Sequence, residues 1–126
     1  NIFYLINMSC LFNSLSFFLD DNSHVIRQNI CDYLENNKPV IDGLSTDKVL
    51  LMSEHGNNYV NKMRSTSTWG GAIEIQAACN IWNVNIHVIN IRDNTDNNTI
   101  EFNPVCNKTN KTISITWNGG HYEPVK

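Results

Sequence analysis

Apolar positions along the chain follow two rhythms. In the first two thirds they recur at steps of three and four, the spacing of helix faces. Leu11, Phe12, Leu15, Phe18 and Leu19 form one such run, so a helix is expected to begin at or just after Cys10. Ser23 to Glu35 reads as a second helix, with Ser23 as N-cap and Ile26, Ile30, Tyr33 and Leu34 on one face. Cys31 falls beside that stripe and reads as a structural thiol. Asn36 to Gly43, with Pro39, reads as a loop. Ser45 heads a short helix through Val49, Leu50 and Met52, which His55-Gly56 ends. Tyr59, Val60 and Met63 suggest another turn or two. Ala72 to Trp82 is expected to be helical, with Ile73, Ala77 and Ile81 on one face and Glu74 early, where the helix dipole favours an acid.

The last third changes rhythm. Asn85 to Ile91 is apolar on both faces through Ile86, Val88, Ile89 and Ile91, as a central strand should be. His87 then points away from Ile86 and Val88 and reads as a sheet-face histidine. Asp93 to Asn98 is a turn, Thr99 to Phe102 a short strand and Pro104 to Lys111 a loop. Thr112 to Trp117 alternates, with Ile113, Ile115 and Trp117 on one face, and Asn118-Gly119 is a hairpin signal. Helices first and paired strands last give the α+β class, a mostly antiparallel sheet covered by helices.

Composition narrows the reading. A chain of 126 residues has room for one core, so 1–126 is expected to be a single domain. It does not begin with Met, and the expectation is a domain excised from a longer chain. A net charge of −3 without a Lys/Arg cluster argues against a nucleic-acid partner. No apolar run reaches the roughly 20 residues that span a bilayer. Ile2 to Leu19 is broken by Asn7, Ser9, Asn13 and Ser14 and lacks a basic leader, so it is a poor signal peptide. Cys10, Cys31, Cys79 and Cys106 are therefore expected to be reduced, in a cytoplasmic or other intracellular compartment. Asparagine-linked glycosylation patterns occur at Asn7, Asn97, Asn107 and Asn110, as chance allows in an Asn-rich chain. With four cysteines they leave an extracellular, disulfide-bonded binding domain as an alternative.

Two distant stretches carry candidate chemistry. Cys10 sits where helix-start amides are unpaired and the dipole is positive, a setting that favours thiolate. His121 follows a tight turn and is expected to open a returning strand; Glu123, two residues on, then shares its face. A cysteine at a helix start with a histidine paired to an acid is the logic of a cysteine-protease triad. Backbone amides of Cys10 and of the Asn7-Met8-Ser9 loop would meet the oxyanion. Between them, Trp69-Gly70-Gly71 permits a close backbone approach to a ligand or to another segment, with Trp69 as a core anchor in the competing reading. There is no Cys-x-x-Cys or His-x-x-x-His spacing, and this chemistry needs neither metal nor cofactor.

Cys10-Leu11-Phe12 with Ser14-Leu15-Ser16, then Thr68-Trp69-Gly70-Gly71-Ala72-Ile73-Glu74-Ile75-Gln76-Ala77, then Gly120-His121-Tyr122-Glu123 resembles the ovarian tumour (OTU) family of deubiquitinating cysteine proteases. The three blocks stand in the family's order and cover most of the chain. Where the family usually has Asp-Gly-x before the nucleophile, this chain has Asn7-Met8-Ser9; where Asp or Asn commonly follows the histidine, it has Glu123. The resemblance implies a single compact OTU-like domain, monomeric, that cleaves after the C-terminal Gly-Gly of ubiquitin or a ubiquitin-like modifier. Cys10, His121 and Glu123 would be its triad, and Trp69-Gly70-Gly71 a wall of the channel for the glycine tail. The missing Asp-Gly motivates a second reading, a non-catalytic ubiquitin-binding relative.

Overall fold

A computed structural model describes residues 9–55, 58–66, 68–92 and 98–126. Five helices are seen among them: α1 (Cys10–Phe18), α2 (Ser23–Glu35), α3 (Thr46–Met52), α4 (Tyr59–Met63) and α5 (Ala72–Trp82). A small antiparallel hairpin, β1 (Pro39–Ile41) and β2 (Leu44–Ser45), precedes α3. The main sheet holds β3 (Asn85–Asn90), β4 (Asn98–Phe102), β5 (Thr112–Trp117) and β6 (Tyr122–Pro124) in the order β4-β3-β5-β6. β3 pairs with β4 and β5 with β6 antiparallel, while β3 and β5 run parallel. The result is an α+β domain with a mixed, mostly antiparallel sheet, and β3 is central in it, as its apolar run on both faces predicts.

Register explains where the core lies. Ile86 faces Ile113 and Val88 faces Ile115, so four buried aliphatic side chains share one face of the sheet. α5 packs over β3, α2 packs on α5, and α1 packs both on α2 and against β6. Leu11, Phe12 and Leu15 are buried from α1, Ile26, Ile30 and Leu34 from α2, and Ile75, Ala78 and Cys79 from α5. Burying one such large side chain stabilises the fold by about 1.5–3 kcal/mol. On the opposite sheet face His87 stands in register with Glu101, its Nε2 3.7 Å from the carboxylate.

Several expectations need correction. Asn22, not Ser23, caps α2: its Oδ1 accepts the Val25 amide at 2.9 Å. The stretch read as a loop from Asn36 to Gly43 contains β1 and the turn into β2, with Gly43 at φ 78°. The inward face of α5 takes in Glu74, Ile75, Ala77, Ala78 and Cys79, so Ala77 is buried as expected while Ile73 and Ile81 lie half-buried at its margins. α3 starts after Ser45 as expected, but the Ser45 hydroxyl bonds Asp47 Oδ1 rather than a backbone amide. The turn expected from Asp93 and the glycine at position 56 lie outside the described residues, apart from Asn98, which begins β4. Cys10, Cys31, Cys79 and Cys106 are all unpaired, as expected of reduced thiols.

Candidate active site

Cys10 is the first residue of α1, and the helix fixes it from both sides. Leu11, Phe12 and Leu15 point into the core, which turns Cys10 to the surface, half-buried. Ser14 Oγ donates to the Cys10 carbonyl at 2.8 Å, and the Asn13 amide donates to the Ser9 carbonyl at 2.7 Å. Ser9 is the N-cap residue, but its side chain makes no capping bond to the helix. The first-turn amides of α1 therefore lack a side-chain cap, and the positive end of the helix lies beside the thiol. Asn7 and Met8, the rest of the expected oxyanion loop, are outside the described residues.

His121 is delivered by the β5–β6 connection. β5 ends at Trp117, which pairs with Tyr122, so residues 118–121 form the turn and His121 is its last residue rather than the first of β6. The Asn118 amide donates to the His121 carbonyl at 3.2 Å, and Asn118 Oδ1 accepts the Gly120 amide at 3.0 Å. Gly119 has φ 104°, open to glycine and costly for a side chain. Glu123 Oε1 lies 3.3 Å from His121 Nε2. A carboxylate at Nε2 keeps a proton on that nitrogen and leaves Nδ1 with the lone pair.

These residues meet in space. A cleft of about 300 Å³ is lined by Cys10, Asn13, His121, Tyr122, Glu123 and Lys126, among others, so residues 111 positions apart share one opening. Beyond Tyr122 lies a second cavity of about 290 Å³, walled by Trp69, Gly70, Trp117, Gly119, Gly120 and Tyr122. Trp69 is 49% exposed, which excludes the core-anchor reading. Gly70 is buried for a different reason: a Cβ there would stand 2.7 Å from Leu11 Cδ2 and 2.9 Å from Phe12 Cζ. Its close approach is to the helix that begins at Cys10. Gly71 does not line either cavity but donates its amide to Glu74 Oε1 at 2.7 Å, opening α5. A larger cavity of about 580 Å³ lies along 103–110 with Cys106 on its wall, and no histidine lines it. Among the described residues no group of three or more His, Cys, Asp or Glu side chains is arranged to hold a metal ion.

Residues 9–122 match the family described as OTU-like cysteine protease. The chain belongs to that family. The match takes in Cys10, Trp69-Gly70-Gly71 and His121, and ends one residue before Glu123. The OTU chain is 32% identical over 130 residues to ubiquitin thioesterase otu2 of Schizosaccharomyces pombe, covering 90% of this chain and 41% of that protein. It thus spans less than half the length of that relative. A solved OTU domain in complex with ubiquitin superposes with TM-score 0.73 at 26% identity, over 94% of this chain and 63% of that one. An OTU deubiquitinase from Wolbachia pipientis wMel gives TM-score 0.61 at 25% identity, over 94% and 82%.

Two buried charged groups stand behind the OTU site, and neither was singled out from the sequence as part of it. Arg27 is 1% exposed and Glu74 is 1% exposed. Arg27 Nη1 donates to the carbonyls of Met63 at 2.7 Å and Thr68 at 3.0 Å, Nη2 donates to Ser9 Oγ at 3.2 Å, and the guanidinium lies 4.2 Å over the Phe12 ring. Burial pulls the Arg27 pKa below its ordinary value, opposed by the charges of Cys31, Glu74 and Cys10. Glu74 Oε2 accepts from Tyr59 Oη at 2.6 Å; burial pushes its carboxyl pKa up, opposed by the bonds from Tyr59 and Gly71. Burial also raises the Tyr122 hydroxyl, with the Cys10 and Glu74 charges adding to it. A signal for Arg27 was present: positions 27, 30, 31 and 34 are one helix face, otherwise apolar.

Proposed function

We propose that this OTU domain is a cysteine-dependent deubiquitinase that hydrolyses the bond after the C-terminal Gly-Gly of ubiquitin or a ubiquitin-like modifier. The observation that carries the reading is the shared cleft of Cys10 and His121, with Glu123 at the far nitrogen of the imidazole. The S. pombe relative named a ubiquitin thioesterase and the solved OTU domain bound to ubiquitin support the substrate class.

In the proposed reaction the Cys10 thiol proton passes to His121 Nδ1, and the thiolate attacks the carbonyl carbon of the terminal glycine. The oxyanion accepts from the Cys10 amide and from the backbone before it. Imidazolium, held by Glu123, returns its proton to the leaving lysine amine as the C–N bond breaks, leaving a thioester on Sγ. Water then gives a proton to His121 and its oxygen to the carbonyl carbon, and the C–S bond breaks to release the glycine carboxylate. The tail of the modifier would reach Cys10 past Tyr122, with Trp69 and Gly70 walling the approach. The setting would be a reducing, intracellular one, with the domain acting as a monomer.

Hydrolysis of di-ubiquitin by the wild-type chain and by Cys10→Ala and His121→Ala tests this. Mono-ubiquitin should appear with wild type alone. The departure at Asn7-Met8-Ser9 favours the second reading, a ubiquitin-binding relative without turnover. Folded wild type that binds ubiquitin and releases none from the dimer would replace the first reading with the second.

A further inference from the structure

Arg27 is as deeply buried as Glu74, and among its bonds are ones to three separate places in the chain. Ser9 immediately precedes the nucleophile; Met63 ends α4; Thr68 immediately precedes Trp69. One planar guanidinium therefore ties the start of the nucleophile helix to the segment that presents the Trp69 wall. Lysine, whose three donors sit on one nitrogen, cannot reproduce that fork. The stack on Phe12 fixes the plane of the guanidinium from the side of α1 itself. A neighbouring frame closes the same segment from its far end, where Glu74 holds Gly71 and Tyr59.

The bond to Ser9 has a further effect. A serine at an N-cap ordinarily turns its oxygen onto the amides of the first turn. Here Ser9 Oγ accepts from Arg27 Nη2 and makes no capping bond. The residue before Cys10 is thus tied through its side chain to the buried guanidinium rather than to its own helix. We propose that Arg27 is a positioning residue for the hydrolysis: through Ser9 it holds Cys10 and its amide in register, and through Thr68 it locks the Trp69 wall to them. This rests on the deubiquitinase reading and adds to it a coupling between nucleophile and channel.

The test compares steady-state kinetics on a ubiquitin C-terminal amide reporter with thermal melts, for the whole chain. Ser9→Ala removes the acceptor with almost no change in volume. Its melting temperature should stay close to wild type, while kcat falls about tenfold and KM stays within about twofold, the scale of loss that slight misplacement of reacting groups produces. Ser9→Thr restores the hydroxyl and should recover most of kcat. Arg27→Lys should lower kcat as well, and adding Ser9→Ala to it should cost little more, because both remove the same bond. Unchanged kcat in Ser9→Ala, or an equal loss in Ser9→Thr, overturns the positioning role even if Arg27→Lys fails to fold. Cys10→Ala is run alongside: if it keeps wild-type activity, both readings fall, whereas a dead Cys10→Ala beside a fully active Ser9→Ala removes the positioning role alone.

Discussion

Cys10 is small, half-buried and surrounded by a core that its neighbours supply. Replacing it with alanine should remove all di-ubiquitin cleavage and leave the melting temperature nearly unchanged; loss of the fold in that variant would mean that the thiol holds structure. In the proposed reaction His121 and Glu123 would play unequal parts. The imidazole would carry the proton and the carboxylate orient it, so Glu123→Ala should reduce kcat less than His121→Ala does. Equal rates for Glu123→Ala and wild type would place the orienting group elsewhere. Trp69 belongs to the same scale. Half its surface is open, so Trp69→Ala should raise KM while sparing stability. A melting temperature lowered by ten degrees or more, roughly what a core cavity costs in a domain of this size, would contradict its place on the wall.

Between elements, the contact that matters most is that of Gly70 with α1. Its absent side chain lets the backbone before α5 lie against Leu11 and Phe12. Gly70→Ala forces a carbon into a space already filled, and overpacking of this kind costs about 1–3 kcal/mol. Chemical denaturation should show that loss with an unchanged m-value; full stability would mean that the loop can withdraw freely. The elements themselves were unevenly legible in the sequence. α5 and β5 could be bounded to the residue, because Gly71 and Asn83 flank the one and Asn118-Gly119 ends the other's alternation. The β1–β2 hairpin was not, since strands of three and two residues are too short to alternate. The apolar period of α5 placed Ala77 correctly on its inward face but gave no sign that Glu74 lies there too. Its burial depends on Tyr59 and Gly71, partners that only the folded chain brings to it. Arg27 escaped for the same reason: among the groups that satisfy it are carbonyls at positions 63 and 68 and a hydroxyl at position 9.

At the scale of the whole molecule, the buried thiols tie stability to pH. Burial pushes Cys31 from its ordinary 9.0 to about 11 and Cys79 to about 12. A raised folded value means that the native chain keeps protons the unfolded chain gives up, so the contribution is intact below pH 9.0 and is lost as pH rises through about 11 to 12. The stability gap between wild type and Cys31→Ala should therefore narrow over that range in denaturant titrations; a gap that widens would show that Cys31 is not protonated in the native state. Cys10 and His121 were legible as candidates because a helix start and a turn announce themselves locally, and only the fold brings them to one cleft. That convergence is tested most directly by ubiquitin carrying a C-terminal propargylamide, which forms a covalent bond with a thiolate held at the end of the glycine tail. Mass spectrometry of the digested adduct should find one modified residue, Cys10, with exposed Cys106 untouched and no adduct on Cys10→Ala. No adduct on the folded wild-type chain, or one that persists in Cys10→Ala, would contradict the account.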